Sequence, residues 1–552
     1  MTGLIRPLRT LRAWLGPGSS QYDSLRIYAL SSVIGFFYLY FGAFSVENGA
    51  SHYTDWADAI VSGADLKGNA AMYIRDVGMA LVLFVSGFPT TRSLVGVTII
   101  QVAMGMAMPL LCYLTLRPWF PRAAYYVAII SAISLAPFLL AKTIHHDQPY
   151  VFFLVLSTYL LNTYISSGRA SLIYILTAVV FAMSLVRQIG KGLAPLVALV
   201  MLVEGPRRGY KHIVAAVALF LAFNVGYAHY RESMLGNMRA LGIEAFENIY
   251  LNSSEFGVKL SPEFGSNVKY IIERTYECSL PSPAQARNLT GDMAPSNPSF
   301  MAANFYRYTS DQLIEKILTQ THFVNLLFIQ GCIKDDHIFL MAALETARAR
   351  SLFVLRYALR NSFQLLFDPG WLHGRHTTEP HFRGGLHFPY GGATTAGRRT
   401  VDDRLPQPAL NEASFIPLAR QPQFIQTVYF QMERIWQRLY HPVTIVLGCL
   451  MVVTWMSIAV GLLRRLFRTD RLERWSSLWL SRSVEPAALG MMLLLLGNVA
   501  ITALFIDSHY RYDFSLLMLK FMNAGIGSVI VIHLVQNVLL QTRRMHRRLT
   551  DL

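Results

Sequence analysis

The stretch Thr143–Phe153 reads TIHHDQPYVFF, and it sets the problem this chain has to solve. Two histidines and an aspartate stand between two long apolar runs, where an unpaired charge is costly to bury. The corner is tolerable if it opens onto water at one face of a membrane and finds partners there. The segments on either side decide whether that membrane exists.

Of the 552 residues, 53% are hydrophobic and only 15% are charged, with a mean hydropathy of +0.36. These are too few charges to coat several soluble domains, and several apolar runs are long enough to cross a bilayer. The expected fold class is an all-α polytopic membrane protein. The net charge of +16 lies in short clusters beside apolar runs, not in a stripe interleaved with exposed aromatics. That pattern argues against a nucleic-acid partner and for membrane lipids. Arg6, Arg9 and Arg12 precede the first apolar run as in a secretory signal, but no convincing small-residue cleavage site follows Phe44. Tyr28–Val46 therefore reads as a retained first span.

Working outward from the corner, ten segments read as helical spans: Tyr28–Val46, Leu94–Leu116, Ala123–Ala141, Tyr150–Ile165, Leu172–Val186, Leu193–Val203 with its flanks, Ile213–Tyr227, Val443–Leu463, Pro486–Phe505 and Phe514–Leu540. Several fall short of the roughly 20 residues a bilayer core requires, so the expected count is about ten. With a cytoplasmic N-terminus, every inside loop carries basic residues: Arg117 and Arg122; Arg169; Arg207, Arg208 and Lys211; Arg464, Arg465, Arg468, Arg471 and Arg474; Arg543, Arg544, Arg547 and Arg548. This is the positive-inside pattern. It expects a multi-pass protein with both termini cytoplasmic.

The same topology places outside Glu47 to about Arg92, the HHDQP corner, the turn Arg187–Gly192 and the turn Asp507–Asp513. A larger exterior domain spans 229–441, rich in Pro, Gly, Asn and Ser clusters, between transmembrane modules 1–228 and 442–552. Within it Asp335–Phe367 reads as one basic amphipathic helix, lying on the membrane face, covering the site or serving as an ordinary domain helix. Cys278 and Cys332 share this domain and are candidates for a bridge in an oxidising compartment. Asn252 and Asn288 match a glycosylation pattern that is common by chance.

Short outer loops should be poor in basic residues, yet Lys142, Arg187, Lys191 and Arg511 all fall on that edge beside Asp147, Asp507 and Asp513. Cations there suit a lipid-linked phosphate, whose charge needs neutralising while its acyl chain stays in lipid. Snorkelling helix ends and local ion pairs are the duller explanation. His145 and His146 are candidate ligands, with Asp147, for a divalent cation, although nothing in the sequence requires one. His373, His376, His381 and His387, in a Gly-rich loop, are weaker candidates.

Five motifs taken in order resemble the GT-C class of membrane glycosyltransferases, closest to bacterial relatives of protein mannosyltransferases and lipid A aminoarabinose transferases. They are SHYTDWADAIVSGADL (from Ser51), YIRDVGMALVLFVSG (from Tyr73), HHDQPYVFFLVLSTYLL (from His145), QIGKGLAPLVALVMLV (from Gln188) and HYRYDFSLLMLKFMNAG (from His509). The likeness covers the spans up to about Tyr230 and the last two, but not the exterior domain. It implies an inverting transferase that moves a sugar from a polyprenyl-phosphate donor to a lipid, glycan or protein acceptor. A first-loop acid would be the catalytic base. The usual position falls on Gly49, which leaves Glu47 and Asp55 as the nearest acids. Asp147 matches the second acid, Lys191 the landmark base, and Arg511 with Tyr512 the pair opening the last span; Arg187 and His146 complete the expected substrate contacts.

Duller roles exist for these groups. Asp55 and Asp58 suit a solvated helix face, Glu47 a membrane border, and Asp147 a helix N-cap. A transporter or lipid flippase would show matching broken helices in two halves, which this chain lacks. A non-catalytic envelope-assembly protein is the other alternative.

Overall fold

The computed structural model describes residues 20–41, 50–64, 66, 77–134, 137–138, 141–204, 209–235, 246, 261–279, 333, 335–367, 422–467, 485–505 and 510–550. Every regular element of any length among them is helical: α1 Ser20–Phe41, α2 Ala50–Ser62, α3 Gly78–Val85, α4 Phe88–Thr91, α5 Val95–Leu116, α6 Pro121–Ile133, α7 Asp147–Ser167, α8 Ser171–Val186, α9 Ile189–Glu204 and α10 Tyr210–Leu235. There follow a short 3-10 turn at Pro262–Phe264, then α11 Ser266–Ser279, α12 Asp336–Ala349, α13 Ser351–Phe367, α14 Gln423–Phe467, α15 Glu485–Phe505 and α16 Tyr510–Thr550.

All ten expected spans fall on helices. Six of these helices are long and apolar enough to cross a membrane, carried by α1, α5, α7, α10, α14 and α16. The other four, α6, α8, α9 and α15, have shorter or less apolar stretches, as the sequence segments already suggested. These apolar helices make the chain a multi-pass membrane protein. Helix α6 stops at Ile133, eight residues before the expected end, and residues 141–146 form the turn that leads into α7.

Helix α7 is the hub, packed by α5, α8, α9, α15 and α16. Its Tyr150, Leu154, Leu161 and Tyr164 are fully buried in the main apolar cluster. In α10, by contrast, only 17% of the spanning window is covered, so it lies at the periphery. Hydroxyls inside the bundle turn back to their own helix: Thr158 donates to Leu154 O at 2.8 Å and Thr177 to Ile173 O at 2.8 Å. No water is available there to satisfy them. Helix α7 ends at Gly168, whose φ of 67° is open to glycine and whose N–H reaches Tyr164 O at 2.8 Å.

The expected single helix over Asp335–Phe367 is in fact two, broken at Arg350 (φ −128°, ψ 42°). Asp335 caps α12 by accepting the His337 N–H at 2.9 Å. Glu345 of α12 then accepts the Asn267 and Val268 N–H groups, each at 3.0 Å, at the start of α11. A carboxylate on those unsatisfied donors is favoured by charge and by the helix dipole. The α13 end goes elsewhere: Leu365 and Leu366 are buried, and the Phe367 ring lies 6.4 Å from that of Trp455 on α14. The two halves answer to different partners, which an uninterrupted helical pattern does not reveal.

Apolar transfer does little to drive helices together within lipid, so close van der Waals contact carries more of the load there. Gly78 opens α3 against the end of α8, and a Cβ added to it would lie 2.5 Å from Val186 N and Cα. That contact is with backbone and cannot be relieved by a rotamer change. Gly226 of α10 has open space around it. Gly78→Ala should therefore lower the melting temperature in detergent, whereas Gly226→Ala should leave it unchanged or raise it, by about 0.5–1 kcal/mol of helix propensity; fluorescence thermal-shift measurements on the two variants check this.

Candidate functional site

Asp147 opens α7 and is fully buried. Arg187 Nη1 donates to its Oδ1 at 3.0 Å. His146 Nε2 lies 3.5 Å from the same oxygen, and His145 Nδ1 lies 2.8 Å from Oδ2. The phenol of Tyr53, from α2, is hydrogen-bonded to His146 Nδ1. Residues from three separated segments thus meet on one carboxylate or on its immediate partner.

The local chain explains how Arg187 gets there. Helix α8 ends at Val186, and Arg187 takes an extended conformation (φ −153°, ψ 134°) before α9 begins. Its carbonyl accepts the Gly190 N–H at 2.9 Å, closing a tight turn. A Cβ on Gly190 would come within 2.8 Å of Met183 C and Ser184 N, so this turn requires glycine's small size. Gly78 presses on the residue just before Arg187 from the other side.

A polar chain continues inward. The Arg187 guanidinium lies 5.4 Å from the Tyr150 ring centroid, a cation–π distance. Asn498 of α15 donates to Tyr150 Oη at 2.6 Å, and Thr502 donates to Asn498 Oδ1 at 3.3 Å. Gln148 donates to Pro137 O at 2.7 Å and Gln101 O at 3.2 Å, tying the start of α7 to the preceding turn and to α5. The Asp147–Arg187 pair is 0% and 6% exposed, so solvent screens it little. Removing one partner of a buried pair strands the other charge, at about 3–5 kcal/mol.

Two further cations occupy this end of the bundle. Lys142, 1% exposed, donates to Leu39 O at 2.6 Å. Burial lowers its ammonium from 10.5 to about 7. Lys191 Nζ stands 5.6 Å from the Tyr227 ring centroid, and Tyr227 Oη accepts the Val77 N–H at 3.2 Å.

Of the expected site residues, Asp147, Arg187 and His146 come together, and Lys191 lies four residues beyond Arg187. Asp55 is half-buried on α2, two positions from Tyr53 and so about 200° around the helix axis. Its neighbour Asp58 receives Arg92 Nη1 at 2.8 Å on both oxygens, the surface ion pair that a solvated face would give. Arg511 and Tyr512 belong to the first turn of α16, with side chains outside the described residues. Glu47, Cys332, Asn252, Asn288 and the four histidines of the Gly-rich loop also lie outside them.

Tyr150, Gln148 and Asn498 were not singled out in the sequence, and Tyr53 entered only as the landmark tyrosine of the first-loop motif, four residues after Gly49. Asn498 had a visible signal, a lone amide in an otherwise apolar span, which needs a partner in lipid. Tyr150 had none, because a tyrosine near a helix end is ordinary at a membrane interface.

Among the described residues, His145, His146 and Asp147 each offer one ligand atom, all within 4.8 Å of one another, and form a group that could hold a metal. No protein-family profile, curated protein or solved structure matches the chain.

The carboxylate and guanidinium should be coupled. Asp147→Ala and Arg187→Ala should each lower the melting temperature, and the double variant should lose less than the sum, with about 1–3 kcal/mol of coupling. Thermal unfolding of the four proteins of the cycle measures it. For Lys142 the folded state sheds its proton near pH 7 and the unfolded chain near 10.5. Stability should therefore rise with pH between those values and be lowest at and below pH 7. Lys142→Met should flatten the rise in melting temperature from pH 7 to pH 9.

Proposed function

We propose that the chain is an integral-membrane glycosyltransferase of the GT-C type. It transfers a sugar from a polyprenyl-phosphate donor to an envelope lipid, glycan or protein on the exterior face of a bacterial inner membrane. One observation carries the reading: Tyr53, His146, Asp147 and Arg187 link the first-loop helix to the starts and ends of three deeper segments at a single end of the bundle. The sequence resemblance calls for first-loop and second-loop groups to share one site; Tyr53 supplies the first-loop contact here, while Asp55 lies about 200° around α2 from it.

The chemistry divides accordingly. A sugar hydroxyl is a poor nucleophile until a carboxylate takes its proton. Its oxygen then bonds to the anomeric carbon as the carbon–oxygen bond to the polyprenyl phosphate breaks, and the phosphate leaves with that electron pair. Single displacement from the far side inverts the configuration. Asp147 is already engaged by Arg187 and serves as an anchor that positions the substrate groups. The base is then Asp55 or Glu47 from the first loop. Lys191, Arg187, Arg511 and Tyr512 hold the phosphate as its charge develops, with His146 beside them.

The reading is tested by mass spectrometry of envelope glycans from a deletion strain complemented with wild-type chain, Asp55→Asn, Glu47→Gln or Asp147→Asn, at matched membrane levels. One glycan should disappear on deletion, and Asp147→Asn and one first-loop variant should fail to restore it. Full restoration by all three variants would remove the enzyme reading.

A further inference from the structure

We infer that His145, His146 and Asp147 form a binding site for a divalent transition-metal ion, with His145 Nδ1, His146 Nε2 and the Asp147 carboxylate as ligands.

The first ground is the packing of an imidazole nitrogen against the buried carboxylate. Asp147 Oδ2 is fully buried, and its nearest neighbour is His145 Nδ1 at 2.8 Å. That nitrogen also lies 3.4 Å from the backbone N of Asp147. Two atoms of the kinds that ligate metals thus face each other inside the protein. A metal lying off the line between them would bind both.

The second ground is the orientation of His146. Its Nδ1 is engaged by the Tyr53 phenol, which leaves Nε2 facing Asp147 Oδ1 at 3.5 Å. A ligating imidazole whose other nitrogen is held by a polar group is the usual outer-shell arrangement of metal sites. Bonds of about 2.0–2.2 Å at tetrahedral angles separate ligand atoms by about 3.4 Å. The imidazole-to-carboxylate separations of 2.8 Å and 3.5 Å lie close to that value, and all three ligand atoms fall within 4.8 Å of one another.

Charge and ligand type fix the class of ion. The carboxylate and Arg187 cancel, and neutral imidazoles add nothing, so the ion brings its charge uncompensated. That excess would attract a phosphate, as a lipid-linked donor requires. Two imidazoles with one carboxylate suit zinc, manganese, iron or cobalt better than magnesium or calcium. The use of the ion in catalysis rests on the transferase reading; its binding does not.

The experiment therefore measures metal without substrate. The full chain, purified in detergent and stripped with chelator, is titrated with zinc and manganese by equilibrium dialysis with elemental analysis, and with cobalt by visible absorption. Wild type should bind one equivalent, with cobalt showing ligand-field bands of a nitrogen–oxygen site. His145→Ala and His146→Ala should each weaken binding at least about 10-fold, and Tyr53→Phe about 10-fold through loss of orientation. His212→Ala, which changes an imidazole bonded to Tyr174 elsewhere, should bind as wild type does. Monodisperse elution and unchanged circular dichroism confirm that each variant is folded. Failure of folded wild type to bind a stoichiometric ion, or unaltered binding by both histidine variants, would overturn the site. Metal binding by a chain that transfers no sugar would leave the site standing and remove only the transferase reading.

Discussion

The neutralisation of one buried carboxylate governs how this end of the molecule is built. Asp147 stands fully buried at the start of the hub helix, and it is held there because Arg187 reaches it at 3.0 Å from the break between α8 and α9. Without that guanidinium the aspartate would be an uncompensated charge at the edge of lipid. The break itself is therefore part of the site. Arg187 leaves helical geometry, Gly190 permits the tight return, and Gly78 lets α3 close over the preceding residue.

The same constraint couples distant parts of the chain. Tyr150, one turn beyond Asp147, lies beneath the guanidinium and is held by Asn498 of α15. Gln148 fastens the turn before α7 to α5 through two carbonyls. In water such polar contacts would each count for little, but in a medium that supplies no alternative partner each one restricts how the helices can sit. A cluster assembled from helix ends in this way is fixed by several elements at once.

The large region between α10 and α14 follows a different logic. There Glu345 caps the start of α11, Asp335 caps α12, and Arg350 lies 5.3 Å from the Phe264 ring centroid. These are short polar and capping contacts, and among the described residues α13 returns to pack on α14 and α15. Charge there is spent on local order, whereas in the bundle it gathers at one end.

Helix positions were legible in the sequence because hydrophobicity alone sets them. Each of the ten apolar segments became a helix, since a backbone in lipid has to satisfy its own hydrogen bonds. Asp147, Arg187 and His146 could be marked as exceptions because charge is rare in such segments. Their meeting could not be read, nor could the roles of Tyr53, Tyr150 and Asn498, since those depend on which helices become neighbours. The broken helix at Arg350 escaped for the same reason: its two halves follow different tertiary partners, and local periodicity carries no record of them. Sequence determined which segments form apolar helices and which side chains would be out of place in them; only packing decided which of those side chains would compensate one another.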